Sequence, residues 1–216
     1  MNIAVIGATG MVGARLVTEA KARGHRVTAV ARNPGSYPRG GTITPLALDA
    51  RDPEQLAAAL HGTDAAILAV RPAPGHEHTL APLTTGVLDA AARAGIRLVV
   101  IGGAGPLRSP GEPDRLVAED PTYVPPAWRA VAAASTDQLR ACERHAEAAW
   151  SYLSPPALLE PGRRTGTYVR GTTTLLLGPD GTSRITAEDL AVAALDELER
   201  PGTDRHFTIN ELAVCR

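Results

Sequence analysis

Asn2-Ile3-Ala4-Val5-Ile6-Gly7-Ala8-Thr9-Gly10-Met11-Val12-Gly13-Ala14-Arg15 is the stretch whose reading decides the fold. Ile3 to Ile6 is a short apolar run, β-branched at three of its four positions, and reads as a buried strand. It runs straight into glycines spaced G-x-x-G-x-x-G, and an amphipathic helix is expected from about Met11 to Arg23. Each glycine has its own task. Gly7 turns the chain out of the strand, Gly10 lets backbone approach a pyrophosphate, and Gly13 lets the helix pack closely on the sheet. Unpaired N–H groups and the positive end of the helix dipole then face the phosphates. A glycine triplet alone is weak evidence, and the competing reading is an ordinary glycine-rich turn of an α/β domain. Strand before and helix after make it a dinucleotide site, with Gly7, Thr9, Gly10, Met11, Val12 and Gly13 as contacts.

The following segments extend that reading. Arg26 to Ala31 reads as a second strand ending in Arg32-Asn33-Pro34. In this architecture that end faces the adenosine ribose, where an acid would accept from a 2′-hydroxyl and a cation would hold a 2′-phosphate. Arg32 therefore points to NADP(H) over NAD(H), with Asn33 beside it, unless it is merely an exposed turn arginine. Thr42 to Leu48 gives a third strand leading to Asp49-Ala50, where Asp49 could reach the adenine amino group. Asp49 or Asp52 could also cap the next helix, Pro53 to His61; the cap is assigned to Asp52 because Asp52-Pro53-Glu54 has the acid-then-proline start.

Asp64 to Val70 is a fourth strand whose end, Ala69-Val70-Arg71, and stiff Arg71-to-Gly75 loop are expected beside the nicotinamide ribose. A helix from about His78 to Ala94 follows. His76 and His78 flank Glu77 at its start, but no third ligand lies at suitable spacing, so a polar helix entry is preferred and no metal is expected. Ile96 to Ile101 is a fifth strand, and Gly102, Gly103 and Gly105 after it permit close approach of a cofactor ring or substrate. Pro106 to Pro126, rich in proline and charge, reads as a functional loop or lid. A helix is expected from Ala127 to Trp150, with Ala132, Ser135, Leu139, Cys142 and Ala146 on its buried stripe. Ser151 to Ser154 is a sixth strand, with Pro155 at its exit. Gly166 to Leu177 should hold short strands, Asp180-Gly181 a hairpin-type turn, Thr186 and Asp189 a capping box before a last helix, and His206 to Ile209 a final strand.

This alternation implies an α/β, Rossmann-type doubly wound parallel sheet of order 3-2-1-4-5-6. One domain over 1–216 is expected, with residues from about 155 onward contributing a small extension on the substrate side. At 216 residues the chain is too short for two full domains of this class. A net charge of −1 without a basic block argues against nucleic acid and anionic membrane as partners. No apolar run approaches a membrane span and no charged leader precedes a signal-like core, so a cytoplasmic protein, monomer or homodimer, acting on a small-molecule substrate is expected. Cys142 and Cys215 lie far apart without metal-ligand spacing and read as buried or incidental thiols.

These residues resemble the atypical short-chain dehydrogenase/reductases of the NAD(P)H-binding, NmrA-like type. The resemblance rests on Gly7-to-Gly13, Ala31-Arg32-Asn33-Pro34, Leu48-Asp49-Ala50, Val100-to-Gly105, Leu153-Ser154-Pro155-Pro156, Pro161-to-Gly166 and Ile185-to-Ala191. It implies the dinucleotide contacts above and a reaction drawn from flavin or quinone reduction, isoflavone-type reduction or epimerase-like chemistry, or else redox sensing without turnover. Two departures matter. Many relatives use a Tyr-x-x-x-Lys pair, which cannot exist where Lys21, in the first helix, is the one lysine among 22 basic residues. The flavin-reductase branch carries a serine after strand five and a histidine after strand six, where this chain has Gly103-Ala104 and Ala157. The remaining candidates for polarising a substrate oxygen are Tyr123, Ser135 and Arg71. The pocket should be walled by Arg71, Gly103, Ala104, Tyr123, Trp128 and Pro155 to Leu158, although Trp128 equally suits an anchor for the helix start.

Overall fold

The computed structural model describes residues 1–35, 37 and 41–212. Cys215 lies outside them. The chain begins with β1 (Asn2–Ile6), in which Ile3, Ala4 and Val5 are wholly buried, and Gly7 leaves it at φ +89°. Then follow α1 (Met11–Ala22), β2 (Arg26–Ala31), β3 (Ile43–Ala47), α2 (Pro53–Leu60), β4 (Ala65–Leu68), α3 (Leu80–Ala94) and β5 (Arg97–Ile101). A short excursion, β6 (Arg108–Ser109) and β7 (Glu112–Leu116), precedes α4 (Arg129–Arg144) and β8 (Ala149–Ser154). The last part holds β9 (Leu158–Glu160), β10 (Tyr168–Gly171), β11 (Arg184–Thr186), α5 (Ala187–Glu199) and β12 (His206–Glu211).

Eight strands form one sheet in the order β10-β12-β8-β5-β4-β1-β2-β3, parallel except where β10 meets β12. The order read from the sequence is its six-strand core; β12 and β10 extend it past β8. Helices cover both faces, as a parallel sheet requires. On one face α1 and α5 bury Leu16, Val17, Leu190 and Leu195 with Phe207; on the other α2, α3 and α4 bury Leu56, Leu60, Leu88 and Leu139 with Tyr152. Pro45 is tolerated inside β3 because that strand is an edge. Asp52 caps α2 as expected, its Oδ1 accepting from Glu54 N–H at 3.0 Å and Gln55 N–H at 3.1 Å. Among the described residues no helix is long and apolar enough to cross a membrane.

Four expectations need correction. The helix expected to reach Trp150 stops at Arg144. His145 takes an extended backbone, its Nδ1 accepts from Ala148 N–H at 3.1 Å, and Trp150 is a buried strand residue while Ala146 is exposed. Ala146 to Ala149 carries no glycine or proline to mark that boundary. The Pro106-to-Pro126 segment is not an open loop: β6 and β7 pair, and Leu107, Val117 and Val124 build a satellite core with Leu175. Arg108 N–H donates to Thr173 O at 2.8 Å and its carbonyl accepts from Leu175 N–H at 3.0 Å. Asp180-Gly181 is a tight turn closed by Gly178 N–H on Thr182 O, but the strands on either side belong to different sheets, so it makes no hairpin. The capping box is half formed. Thr186 Oγ1 accepts from Asp189 N–H at 3.0 Å, whereas the Asp189 carboxylate accepts from Thr165 and Gly166 N–H, each at 2.8 Å, and fixes that loop instead.

Candidate functional site

The carboxyl ends of the central strands converge on the turn between β1 and α1. Gly7 and Ala8 N–H both donate to Val30 O, at 2.9 and 3.0 Å, which pins the turn to β2. A Cβ on Gly7 would overlap Ala69 O, and one on Gly13 would overlap Gly7 O. Those two glycines are demanded by packing. Gly10 differs, since a Cβ there would meet only Gly7 O at 3.3 Å and Ala69 O at 3.9 Å. It is the N-cap of α1, no side chain caps the helix, and its first turn holds no acid. Helix N-termini usually receive a Ser, Thr, Asp or Asn acceptor for their free N–H groups. Here Thr9, Gly10 and Met11 stand exposed; Gly10 N–H donates to Gly7 O at 3.0 Å, and the Met11, Val12 and Gly13 N–H groups of the first turn have no side-chain cap, a cradle matching a pyrophosphate in charge. Val12 is half-buried against the α1/α5 core.

At the ends of β2 and β3, Arg32 and Asn33 are exposed, and Asn33 Oδ1 accepts from Gly35 N–H at 3.4 Å. Asp49 is not a free carboxylate awaiting adenine. Arg51 grips both its oxygens, Nε lying 3.0 and 3.1 Å from them, and Arg51 N–H adds a bond at 3.0 Å. These bonds, with Arg32 nearby, hold the Asp49 carboxyl down to about 2. Arg51 and Arg32 thus flank the Asp49 carboxylate, with the Asp52 cap carboxylate beside it. Ala50 is half-buried beside it. Sequence reading missed Arg51, although its place two residues after Asp49 in a turn is the signal for such a pair. It also missed Tyr37, whose hydroxyl donates to Ala8 O at 2.7 Å and whose ring packs on the α1/α5 core over the glycine turn. Burial there raises its phenol above the usual range.

At the other end, Ala69 and Val70 are half-buried against the glycine turn, Ala69 N–H donating to Ile6 O at 2.8 Å. The exposed Arg71 places its guanidinium 4.7 Å from the centre of the Trp128 ring, so the loop after β4 and the start of α4 meet over the sheet. Trp128 is half exposed at 50%, which suits a pocket wall better than a buried helix anchor. Gly102, Gly103 and Gly105 each answer to a packing demand as well. A Cβ on Gly102 would overlap the Tyr152 ring, one on Gly103 would lie 2.8 Å from Ser135 Cβ, and one on Gly105 would overlap Ala132 O. Their close approach is to β8 and α4. Ser135 is 4% exposed and donates to Ala132 O at 2.7 Å, which leaves its hydroxyl turned inward. Pro155 is buried as well. Tyr123 is half-buried in the satellite core, and its hydroxyl makes no hydrogen bond among the described residues. No group of three or more metal-binding side chains occurs among the described residues.

Beside this end, Tyr152 donates to Ser135 O at 2.8 Å, and burial drives its phenol far above the usual range, so it serves the core. His206 stands edge-on to the Tyr152 ring at 5.4 Å and is hydrogen bonded through Nε2 to Ser154 Oγ at 2.9 Å. Burial pushes its imidazole down to about 4. Between pH 6.5 and 4 the unfolded chain binds a proton that the folded chain refuses. Stability from this group is therefore complete above about pH 6.5 and falls as pH drops toward 4, by on the order of 2–3 kcal/mol. Urea unfolding at neutral pH and near pH 4.5 should show His206→Gln losing less stability than the wild type on acidification; equal losses would refute this. Cys142, buried under α4, has its thiol pushed up to about 12 and is inert.

A family model described as NAD(P)H-binding matches residues 7–201. Among solved structures, the chain resembles a protein from Burkholderia pseudomallei provisionally named as exported, at 36% identity and TM-score 0.86, covering 97% of this chain and 99% of that one. A Bacteroides thetaiotaomicron protein provisionally named an epimerase matches at 31% identity and TM-score 0.89, covering 100% and 99%. A Streptococcus pneumoniae protein provisionally named an NADH-flavin reductase matches at 28% identity and TM-score 0.83, covering 98% and 100%.

Proposed function

Because the chain belongs to the NAD(P)H-binding family, we propose that it is an NADP(H)-dependent reductase passing hydride to a small acceptor such as a flavin, a quinone or an activated carbonyl. The observation that carries this reading is the α1 N-terminus, which has neither a side-chain cap nor an acid in its first turn. In this reading the Met11, Val12 and Gly13 N–H groups hold the pyrophosphate against Gly10, Arg32 and Arg51 hold the 2′-phosphate, and Asp49, Asn33 and Ala50 border the adenosine. Ala69, Val70, Gly102 and Gly103 line the nicotinamide end. When bound, a reduced nicotinamide supplies the hydride. Arg71 and Trp128 present a cation and a flat apolar surface to the acceptor, and Tyr123 carries the free hydroxyl nearest in sequence to that pair. Ser135 already donates to Ala132 O, which supports Tyr123 over it as the donor. An acceptor that needs positioning more than a dedicated acid fits such a site.

Replacing Arg32 by alanine should weaken NADPH binding by about 1.5–3 kcal/mol, the scale of a charge-assisted hydrogen bond, and leave NADH binding unchanged. Reductase activity is tested by stopped-flow mixing of NADPH-loaded protein with flavins, quinones and activated carbonyls, following loss of reduced-nicotinamide absorbance. Turnover with at least one class is expected. Failure with all of them, alongside tight binding that distinguishes oxidised from reduced cofactor, would replace the reductase by a dinucleotide sensor. That second reading draws on the buried, internally bonded state of Ser135 and Tyr152.

A further inference from the structure

The loop that leaves β2 carries Arg32 and folds back over the turn between β1 and α1. Two local bonds bend it: Asn33 Oδ1 accepts from Gly35 N–H at 3.4 Å, and Pro34 O accepts from Tyr37 N–H at 3.1 Å. They return Tyr37 to the glycine turn, where its hydroxyl donates to Ala8 O at 2.7 Å and its half-buried ring packs on the α1/α5 core. Ala8 N–H itself donates to Val30 O at 3.0 Å, so the residue that receives the phenol is fixed to β2.

The adenosine half of a phosphorylated dinucleotide spans two grips, the first turn of α1 for the pyrophosphate and Arg32 for the 2′-phosphate. Holding both at once is favourable when the grips keep a fixed separation before the ligand arrives, because ordering a loop during binding costs affinity. Arg51 is fixed by its bonds to Asp49. The Arg32 guanidinium makes no hydrogen bond among the described residues. It lies close enough to Asp49 to help hold that carboxyl down, and its place is set by the backbone that carries it. Among the described residues of this loop, the Tyr37 hydroxyl makes the one side-chain hydrogen bond to the glycine turn.

We infer that Tyr37 is a positioning residue for the cofactor: its hydroxyl ties the loop that bears Arg32 to the glycine turn, so that the 2′-phosphate and pyrophosphate grips form one frame. The ring and the hydroxyl divide the work, since packing anchors the aromatic body while the bond sets its distance from Ala8. The consequence for binding rests on the NADP(H) reading above; the tie itself rests on the loop geometry alone.

Tyr37→Phe removes the hydroxyl and keeps the ring. Trypsin cleavage of the Arg32–Asn33 bond in the dinucleotide-free protein, followed by mass spectrometry, should accelerate by about threefold or more, because the loop opens more often. In calorimetric titration the variant should bind NADPH more weakly by about fivefold or more, and NADH within about twofold of the wild type. In an Arg32→Ala background the same change should leave NADPH affinity unaltered, since the group it positions is gone. A general structural role would weaken both dinucleotides alike and persist without Arg32; either result would overturn the inference, as would unchanged cleavage. Equal NADPH and NADH affinities in the wild type, beside faster cleavage of Tyr37→Phe, would instead overturn the NADP(H) reading and uphold the tie.

Discussion

Gly13→Ala abolishes dinucleotide binding and lowers stability by about 3 kcal/mol or more, beyond the ordinary cost of one added methyl in a packed site. The obstacle is backbone on both sides. The new Cβ would overlap Gly7 O and press within 3.0 Å of the Ala8 Cα, so no flexible side chain can move aside to make room. Relief requires lifting α1 off the sheet, which drags its N-terminal N–H groups away from the phosphates they are placed to hold. Gly86→Ala is the matched control. Nothing lies within 4 Å of its Cβ in the middle of α3, so helix propensity alone acts and stability rises by about 0.5–1 kcal/mol. Calorimetric melting and dinucleotide titration of both variants check the pair; a Gly13→Ala protein that binds normally would remove the glycine turn from the account.

Arg170→Met is expected to cost about 3–5 kcal/mol, the scale for breaking a buried ion pair from one side. The Glu197 side chain is wholly buried, and Arg170 bonds its Oε2 while lying 3.6 Å over the Phe207 ring. Methionine keeps much of that packing but leaves the carboxylate with Ser151 and Gly202 alone. A double change, Arg170→Met with Glu197→Gln, should recover more than half of the loss, because the uncompensated charge is then gone. Urea denaturation of the two variants is the measurement. A single-variant loss below about 1 kcal/mol, the level of an exposed pair, would contradict this account of β10 and α5.

The β1 turn and α1 were legible because strand propensity, glycine spacing and helix periodicity all agree within fourteen residues. Where such agreement lapsed, the sequence misled. Ala146 to Ala149 is helix-forming residue by residue, and only the His145 side chain, bonded to Ala148 N–H, ends α4 and frees Trp150 for the sheet. The glycines after β5 also pack on Tyr152 and Ser135, residues thirty and more positions away that no local pattern joins to them. The satellite core under β6 and β7 depends likewise on Leu175. At the site, Arg32 could be placed from the end of β2, whereas the claim of Arg51 on Asp49 is a side-chain pairing that the alternation of elements does not encode.

The central claim is that the adenosine end, with Arg32 and Arg51 around Asp49, selects the phosphorylated cofactor. Isothermal titration of the wild-type protein with NADPH and with NADH, in one buffer at one ionic strength, tests it most directly. Tighter binding of NADPH by at least about tenfold, or about 1.4 kcal/mol, is the predicted result; equal affinities, or tighter NADH, would contradict it.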